Sequence, residues 1–326
     1  MKNNGSNAAQ HRLLHFAGGW RWYDVAMEDS SHEWLQRLRE ESPAIDEWLR
    51  VIPKVSENYI SVRFPDGAEA VIFGTLPYSV KSEVTGAGPV DRLHFFVNDQ
   101  MLVTINLDPN TREMMAAKER TSMLQQCPNA VDGMFVLART LLHYFHQGLD
   151  RFEMNLRAIE RAMEMDNQRH LMDKILNSRF ELLFWSNLFT PFDELIAAAR
   201  EGYLDRLESS KPFLRLLHRM ERMDRAFRHY EDEIDTLIAI DDAVSAFRGN
   251  EIMKTLTIVT SIFTPATVVG AIWGMNFDNL PAIKTPWGFV SVMFGTLLFT
   301  LGMYWWMHSK GWTGDLLRVK GRKSKI

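Results

Sequence analysis

Six residues in the C-terminal part of the chain could act together. Asn250, Met253, Thr257, Thr260, Thr264 and Thr267 follow one another in steps of three and four, the interval that stacks side chains on one face of an α-helix. Oxygens in such a column serve one of two purposes. They bond back to their own helix or glue helices together, or they line a wet path. The stripe alone leaves both open. It runs on to Gly274, Met275 and Asn276, after which only Asp278 and Lys284 carry charge before the next apolar run. Further back, Asp235 and Asp242 are two helical turns apart, and steps of four lead from Asp242 through Ala246 to Asn250. Asp242, with Asp235, could therefore stand at the mouth of such a path and concentrate cations; a solvated acidic face is the other reading. His143 and His146 share a helix face at a spacing that can hold a transition metal. Two imidazoles without a third ligand are also the ordinary pattern of helix packing.

Other chemistry is excluded by what the chain lacks. Cys127 is the only cysteine, so there is neither an intrachain disulfide framework nor a thiolate zinc site. No nucleotide-binding loop, nucleophile elbow or HExxH sequence is present, which leaves ATPase and hydrolase readings without residues and the chain as a non-enzyme without a cofactor. A net charge of −4 gives no basic field for nucleic acid.

The elements that must position the stripe are membrane-scale. Thr255 to Phe277 is free of charge for about 23 residues, and so is Thr285 to Met307, each enough to cross a hydrocarbon core as a helix. Trp287, Tyr304, Trp305 and Trp306 sit near the ends of the second run, as interfacial aromatics should. Lys310, Arg318, Lys320, Arg322, Lys323 and Lys325 follow it, and Arg248 and Lys254 precede the first. The positive-inside rule then places both termini in the cytoplasm. The start, "MKNNGSNAAQH", has no apolar signal-peptide core, which puts the bulk of the chain in the cytosol.

That bulk divides into two. "WRWYDVAM", "NYISVRF", "AEAVIFGTL", "RLHFFVND" and "MLVTINL" alternate as strands do, with "SSHEWLQRLREE" and "PAIDEWLRVI" reading as helices between the first and second. From Arg112 strand signals stop. Two amphipathic helices follow, broken near Asp166 to Arg169, and a third begins near Ser209 with no convincing stop before Asn276. At about 1.5 Å per residue this is a rod of roughly 100 Å. A rod that long needs company, so self-association through it is expected.

"NEIMKTLTIVTSIFTPATVVGAIWGMNF", Asn250 to Phe277, closely resembles the CorA family of divalent-cation transporters. Gly274, Met275 and Asn276 match its signature Gly-Met-Asn, Phe277 follows as usual, and "MKTLT" and Pro265 sit where that family has them. "WYDV" and "LVTINLD" are similar to its N-terminal strands. Trp273 departs from the usual Tyr but keeps an aromatic, and the loop after the signature is less acidic than in many members. The resemblance implies a funnel-shaped homopentamer, with the first span lining a central pore and the second packing outside it. On that arrangement the threonine face is the pore wall. It also implies closure by cytosolic Mg²⁺ held on carboxylates between subunits, so that the ion is regulatory ligand as well as cargo.

A Gly-Met-Asn ring has a physical reading. Mg²⁺ gives up its waters reluctantly and demands an octahedral shell. A dense carboxylate cage would hold it too long to conduct. A ring of Asn276 carboxamide oxygens can instead accept hydrogen bonds from the ion's own waters, at the end of the helix where the dipole favours a cation. Gly274 leaves room for close packing and a bend, and the Met275 thioether packs rather than ligates. A plain helix cap is the other role open to Asn276.

The expectation is an α+β multidomain membrane protein: a disordered start over 1–14, a cytosolic α/β domain over 15–110, a long-helix stalk over 111–254, a pore-lining span over 255–277, an external loop over 278–286, a second span over 287–308 and a basic cytosolic tail over 309–326. Its function is expected to be Mg²⁺ uptake across the cell's inner membrane, its partners being its own copies, lipids and divalent cations. Two alternatives stand beside this: a Zn²⁺, Co²⁺ or Ni²⁺ transporter of the same fold, with or without proton coupling, for which His143 and His146 are the best argument, and a non-conducting membrane scaffold.

Overall fold

The structure is a computed structural model that describes residues 12–25, 38–40, 42, 44–52, 59–65, 69–81, 90–165, 171–275 and 285–312. The chain divides into two compact units, Met1–Ile238 and Ala239–Ile326.

The first unit is built on a six-stranded sheet. Its strands are β1 (Arg12–His15), β2 (Arg21–Val25), β3 (Tyr59–Arg63), β4 (Val71–Tyr78), β5 (Asp91–Val97) and β6 (Met101–Ile105), in the order β1-β2-β6-β5-β4-β3. β2 and β6 run parallel, and every other neighbouring pair is antiparallel. Five of these strands are the five alternating runs of the sequence. β1 is the addition, and it enters the sheet at Arg12, inside the stretch expected to be disordered. All four of its side chains are exposed, so no apolar alternation announces it; backbone pairing with β2 holds this edge.

Both faces of the sheet are covered, which is why β4 and β6 are buried along nearly their whole length. Trp22, Ile72, Leu76, Leu93, Phe95 and Leu102 point into the larger core, and Val25, Val71, Phe73, Phe96 and Val103 into the smaller. Helix α1 (Ile45–Val51) closes the smaller core with Ile45 and Trp48, beside Leu38 from a helical turn at 38–40. The expected "SSHEWLQRLREE" helix otherwise lies outside the described residues.

Two short helices, α2 (Pro109–Ala116) and α3 (Lys118–Gln125), lead to the long α4 (Ala130–Met165) and α5 (Leu171–Tyr203). Asp108 caps α2: its Oδ1 accepts from the Thr111 N–H at 2.9 Å, and the Tyr78 and Tyr144 hydroxyls donate to the same carboxylate at 2.9 and 3.0 Å. The expected break between the two long helices, at 166–170, lies outside the described residues. Trp185 of α5 sits over Gly148 of α4 so closely that an added Cβ would lie 2.4 Å from the ring. Phe145 meets Phe192 edge-on at 5.3 Å.

Helix α6 (Lys211–Trp273) is continuous over 63 residues. Ser210 starts it, accepting from the Phe213 N–H at 3.2 Å. In the first unit α6 buries Phe213, Leu216, Met220, Met223, Phe227, Ile234 and Leu237, a stripe at steps of three, four and seven, with the half-buried Tyr230 in the widest gap.

The second unit consists of the rest of α6 and of α7 (Gly288–Ser309). Both helices are long and apolar enough to cross a membrane. Large side chains on them point outward: Phe294 is 60% exposed and Trp305 71%. Core helices of a soluble domain would bury them.

Candidate functional site

The second half of α6 has two chemically different faces. At about 100° per residue, Ile258, Ile262, Ala266, Val269 and Trp273 fall on one side. Ile258 is buried. The other four line an apolar crevice of about 670 Å³ whose far wall is Phe289, Val292, Thr296 and Thr300 of α7. This is therefore the face turned to α7.

Thr257, Thr260, Thr264 and Thr267 lie on the opposite side of the same helix and are exposed, as are Asn250 and Met253. Every hydroxyl of the stripe donates to the carbonyl four residues back: Thr257 to Met253 at 2.9 Å, Thr260 to Leu256 at 2.8 Å, Thr264 to Thr260 at 2.6 Å and Thr267 to Phe263 at 2.9 Å. Back-bonding uses each proton and leaves the oxygen lone pairs free. The exposed face is thus a column of acceptors, and the first of the two roles open to the threonines coexists with the second. Helix α6 runs through Pro265 without a break.

The helix ends in a tight turn. The Gly274 N–H reaches the Gly270 carbonyl at 2.9 Å, and the Met275 N–H the Ile272 carbonyl at 3.3 Å. A Cβ at Gly274 would lie 2.8 Å from the Gly270 oxygen, so close approach demands glycine here. Met275 is exposed. Asn276 and most of the following loop lie outside the described residues.

The acidic residues separate. Asp235 does not stand free at a mouth: the Arg179 guanidinium of α5 is ion-paired with it, a partner 56 positions away that spacing could not reveal. Asp242 is exposed, on the helix face that continues to Asn250. His143 is half-buried; burial, and then the nearby Arg219 charge, push its pKa down. His146 is exposed and faces Asp150 at 3.6 Å. Among the described residues, no group of three or more His, Cys, Asp or Glu side chains is placed to hold a metal, so the pair gains no third ligand there. Trp273 has a position the sequence did not suggest, on the crevice wall rather than the threonine face. Its spacing from Ile262, Ala266 and Val269 carried that signal.

Two adjacent helices of spanning length, with apolar side chains directed outward and an oxygen-lined face turned away from the partner helix, belong to an integral membrane protein. Residues 17–309 match the family described as "CorA-like Mg2+ transporter protein". The chain belongs to that family, which consists of ion transporters and not enzymes. It is 28% identical over 314 residues to the magnesium transport protein CorA of Bacillus subtilis, covering 95% of this chain and 97% of that one. It is 22% identical over 231 residues to the cobalt/magnesium transport protein CorA of Methanocaldococcus jannaschii, covering 68% and 71%. The solved CorA magnesium transporter from Methanocaldococcus jannaschii superimposes with a TM-score of 0.63 at 20% identity, over 90% of this chain and 92% of that one.

Proposed function

We propose that the chain forms a homopentameric channel for Mg²⁺, with the second half of α6 lining the central pore and an Asn276 ring reading the hydrated ion. The observation that carries this is the opposition of faces on α6. The apolar face is occupied by α7, while the column of threonine acceptors faces the other way. A helix in lipid gains nothing by presenting such a column to hydrocarbon. Copies arranged around an axis would turn it to water, where a hydrated cation's own waters donate to it.

The driving force is the membrane potential, about 2.3 kcal/mol per charge per 100 mV, which a divalent ion feels twice. Basic residues after α7 support a cytosolic C-terminus. Asp242 extends the pore-lining face toward the cytosol. The name of the Methanocaldococcus relative favours Co²⁺ as a second cargo.

The test is uptake into liposomes by the purified protein and by Asn276→Ala, after each is confirmed as a pentamer by mass. Mg²⁺ and Co²⁺ are compared at matched gradients. Asn276→Ala is expected to keep the pentamer and lose selective uptake at low Mg²⁺. Uptake by the variant at unchanged rate and selectivity would leave Asn276 a helix cap and move the filter to Thr264 and Thr267.

A further inference from the structure

A cluster of basic side chains lies in the first unit. Five arginines converge where α3, α4 and the start of α6 meet. Arg120 comes from α3, Arg139 from α4, and Arg215, Arg219 and Arg222 from α6. Arg139 and Arg215, with Lys211 beside them, line a cavity of about 220 Å³, several times the roughly 30 Å³ that one liquid water occupies.

Among the described residues, Arg120 Nη1 and Arg139 Nε are buried without a hydrogen-bond partner, while Lys211, Arg215 and Arg222 are exposed. Arg219 donates through Nη1 and Nη2 to the backbone carbonyls of Arg139 and Leu142, at 3.2 and 3.3 Å. Burial and then the Arg139, Arg120 and Arg222 charges push the Arg219 pKa down to about 10. Burial and then Arg120 and Arg215 lower that of Arg139, with Glu119 the one carboxylate opposing them there. Asp132 lies nearby but receives the Ser210 hydroxyl and is not part of the cavity lining. The first turn of α6 adds its positive end, through Lys211 and Pro212 on the cavity wall.

Holding the half-buried Arg120, Arg139 and Arg219 close together costs free energy unless an anion joins them. Each guanidinium fork can donate two parallel hydrogen bonds to a tetrahedral oxoanion, a match that a spherical ion does not offer. We propose that this cleft binds a phosphate group, carried by inorganic phosphate or by the phosphate chain of a nucleotide.

The test uses the full-length protein in detergent. Its thermal midpoint and binding heats are measured with sodium phosphate, with ATP free of divalent ions, and with sodium chloride at equal ionic strength. A saturable rise is expected with phosphate or ATP and not with chloride. The tighter of the two identifies the carrier. In a variant combining Arg139→Gln and Arg215→Gln, the affinity is expected to fall at least about tenfold, the loss of one charge-assisted contact or more. Its midpoint without added anion should equal or exceed that of the parent, because repulsion is relieved. Equal effects of phosphate, ATP and chloride on the parent overturn the proposal, as does unchanged binding by the variant. A variant that melts lower than the parent without anion shows these arginines already paired within the assembly, and overturns it as well.

Discussion

Helix α6 obeys one rule before residue 238 and another after it. Up to Leu237 it buries a large apolar side chain at almost every turn. Beyond that point, Phe247, Ile252, Leu256, Val259 and Phe263 are all exposed, and Ile258 is the buried exception on this helix. The apolar content does not fall; its destination changes. In the first unit the burial needed to offset chain entropy is met internally, by α4, α5 and a sheet covered on both faces. In the second unit it must be met by lipid or by other copies of the chain. What remains unpaired on the second part of α6 is therefore informative, and the acceptor column is the part that lipid cannot satisfy.

The sharpest way to break this contrast is to delete a large ring on each side of it. Trp185 is fully buried in the first unit, 5.8 Å from Phe145 in an edge-on contact. Trp185→Ala is expected to cost about 3–5 kcal/mol, read as a fall in the unfolding transition of the full-length protein in detergent. Trp185→Phe should cost less, since Trp185 Nε1 has no hydrogen-bond partner to lose. Phe294 of α7 is 60% exposed and is not among the residues lining the crevice, so Phe294→Ala should cost less than about 1 kcal/mol, because lipid tails are as apolar as the ring that is removed. A cost for Phe294→Ala as large as that for Trp185→Ala would mark the outward side of α7 as a contact between copies.

A smaller effect is expected at the end of α6, where two glycines differ. Gly274→Ala must move either its own backbone or the Gly270 carbonyl, at 2.8 Å from the new Cβ. It should therefore displace the Asn276 that follows. Liposome uptake of Mg²⁺ should drop while the mass of the assembly stays the same. A Cβ at Gly270 meets nothing within 4 Å beyond the backbone of its own helix, and Gly270→Ala should leave uptake near the parent's. If Gly270→Ala is the worse of the two, α6 helices of neighbouring copies approach one another at Gly270, and the proposed pore would be narrowest there rather than at Gly274.

Much of this was legible in the sequence, for reasons that also explain the gaps. The threonine stripe could be read because helical spacing alone places it. Its opposition to the α7-facing side followed from the same periodicity. β1 could not be read, since an exposed edge strand held by backbone bonds has no side-chain pattern. The pairing of Asp235 with Arg179 and the meeting of Arg120 and Arg139 with Arg215 and Arg219 join separate helices, which no local rule can foresee. The need for glycine at 274 lies in a distance to a carbonyl. The Gly-Met-Asn signature announced the importance of the position without that reason.

The smallest effect concerns pH and belongs to the first unit. His94 of β5 stands opposite Thr75 of β4 in the register, and its Nδ1 lies 2.8 Å from the Thr75 hydroxyl. Burial first, and then the charge of Arg92, hold its pKa below the ordinary 6.5. The folded protein therefore keeps His94 neutral where the unfolded chain would protonate. A depressed pKa contributes stability that is present above 6.5 and is lost as pH falls from there toward the folded-state value. Unfolding of the first unit should become easier between about pH 7 and about pH 5. His94→Gln keeps a partner for Thr75 and has no proton to gain, so its loss over that range should be shallower. The mass of the assembly should be the same for both proteins across the range, because His94 lies in the first unit and not in the spans. Parallel losses in parent and variant would show that other groups set the acid sensitivity, and a mass that changes with His94→Gln would tie this histidine to assembly.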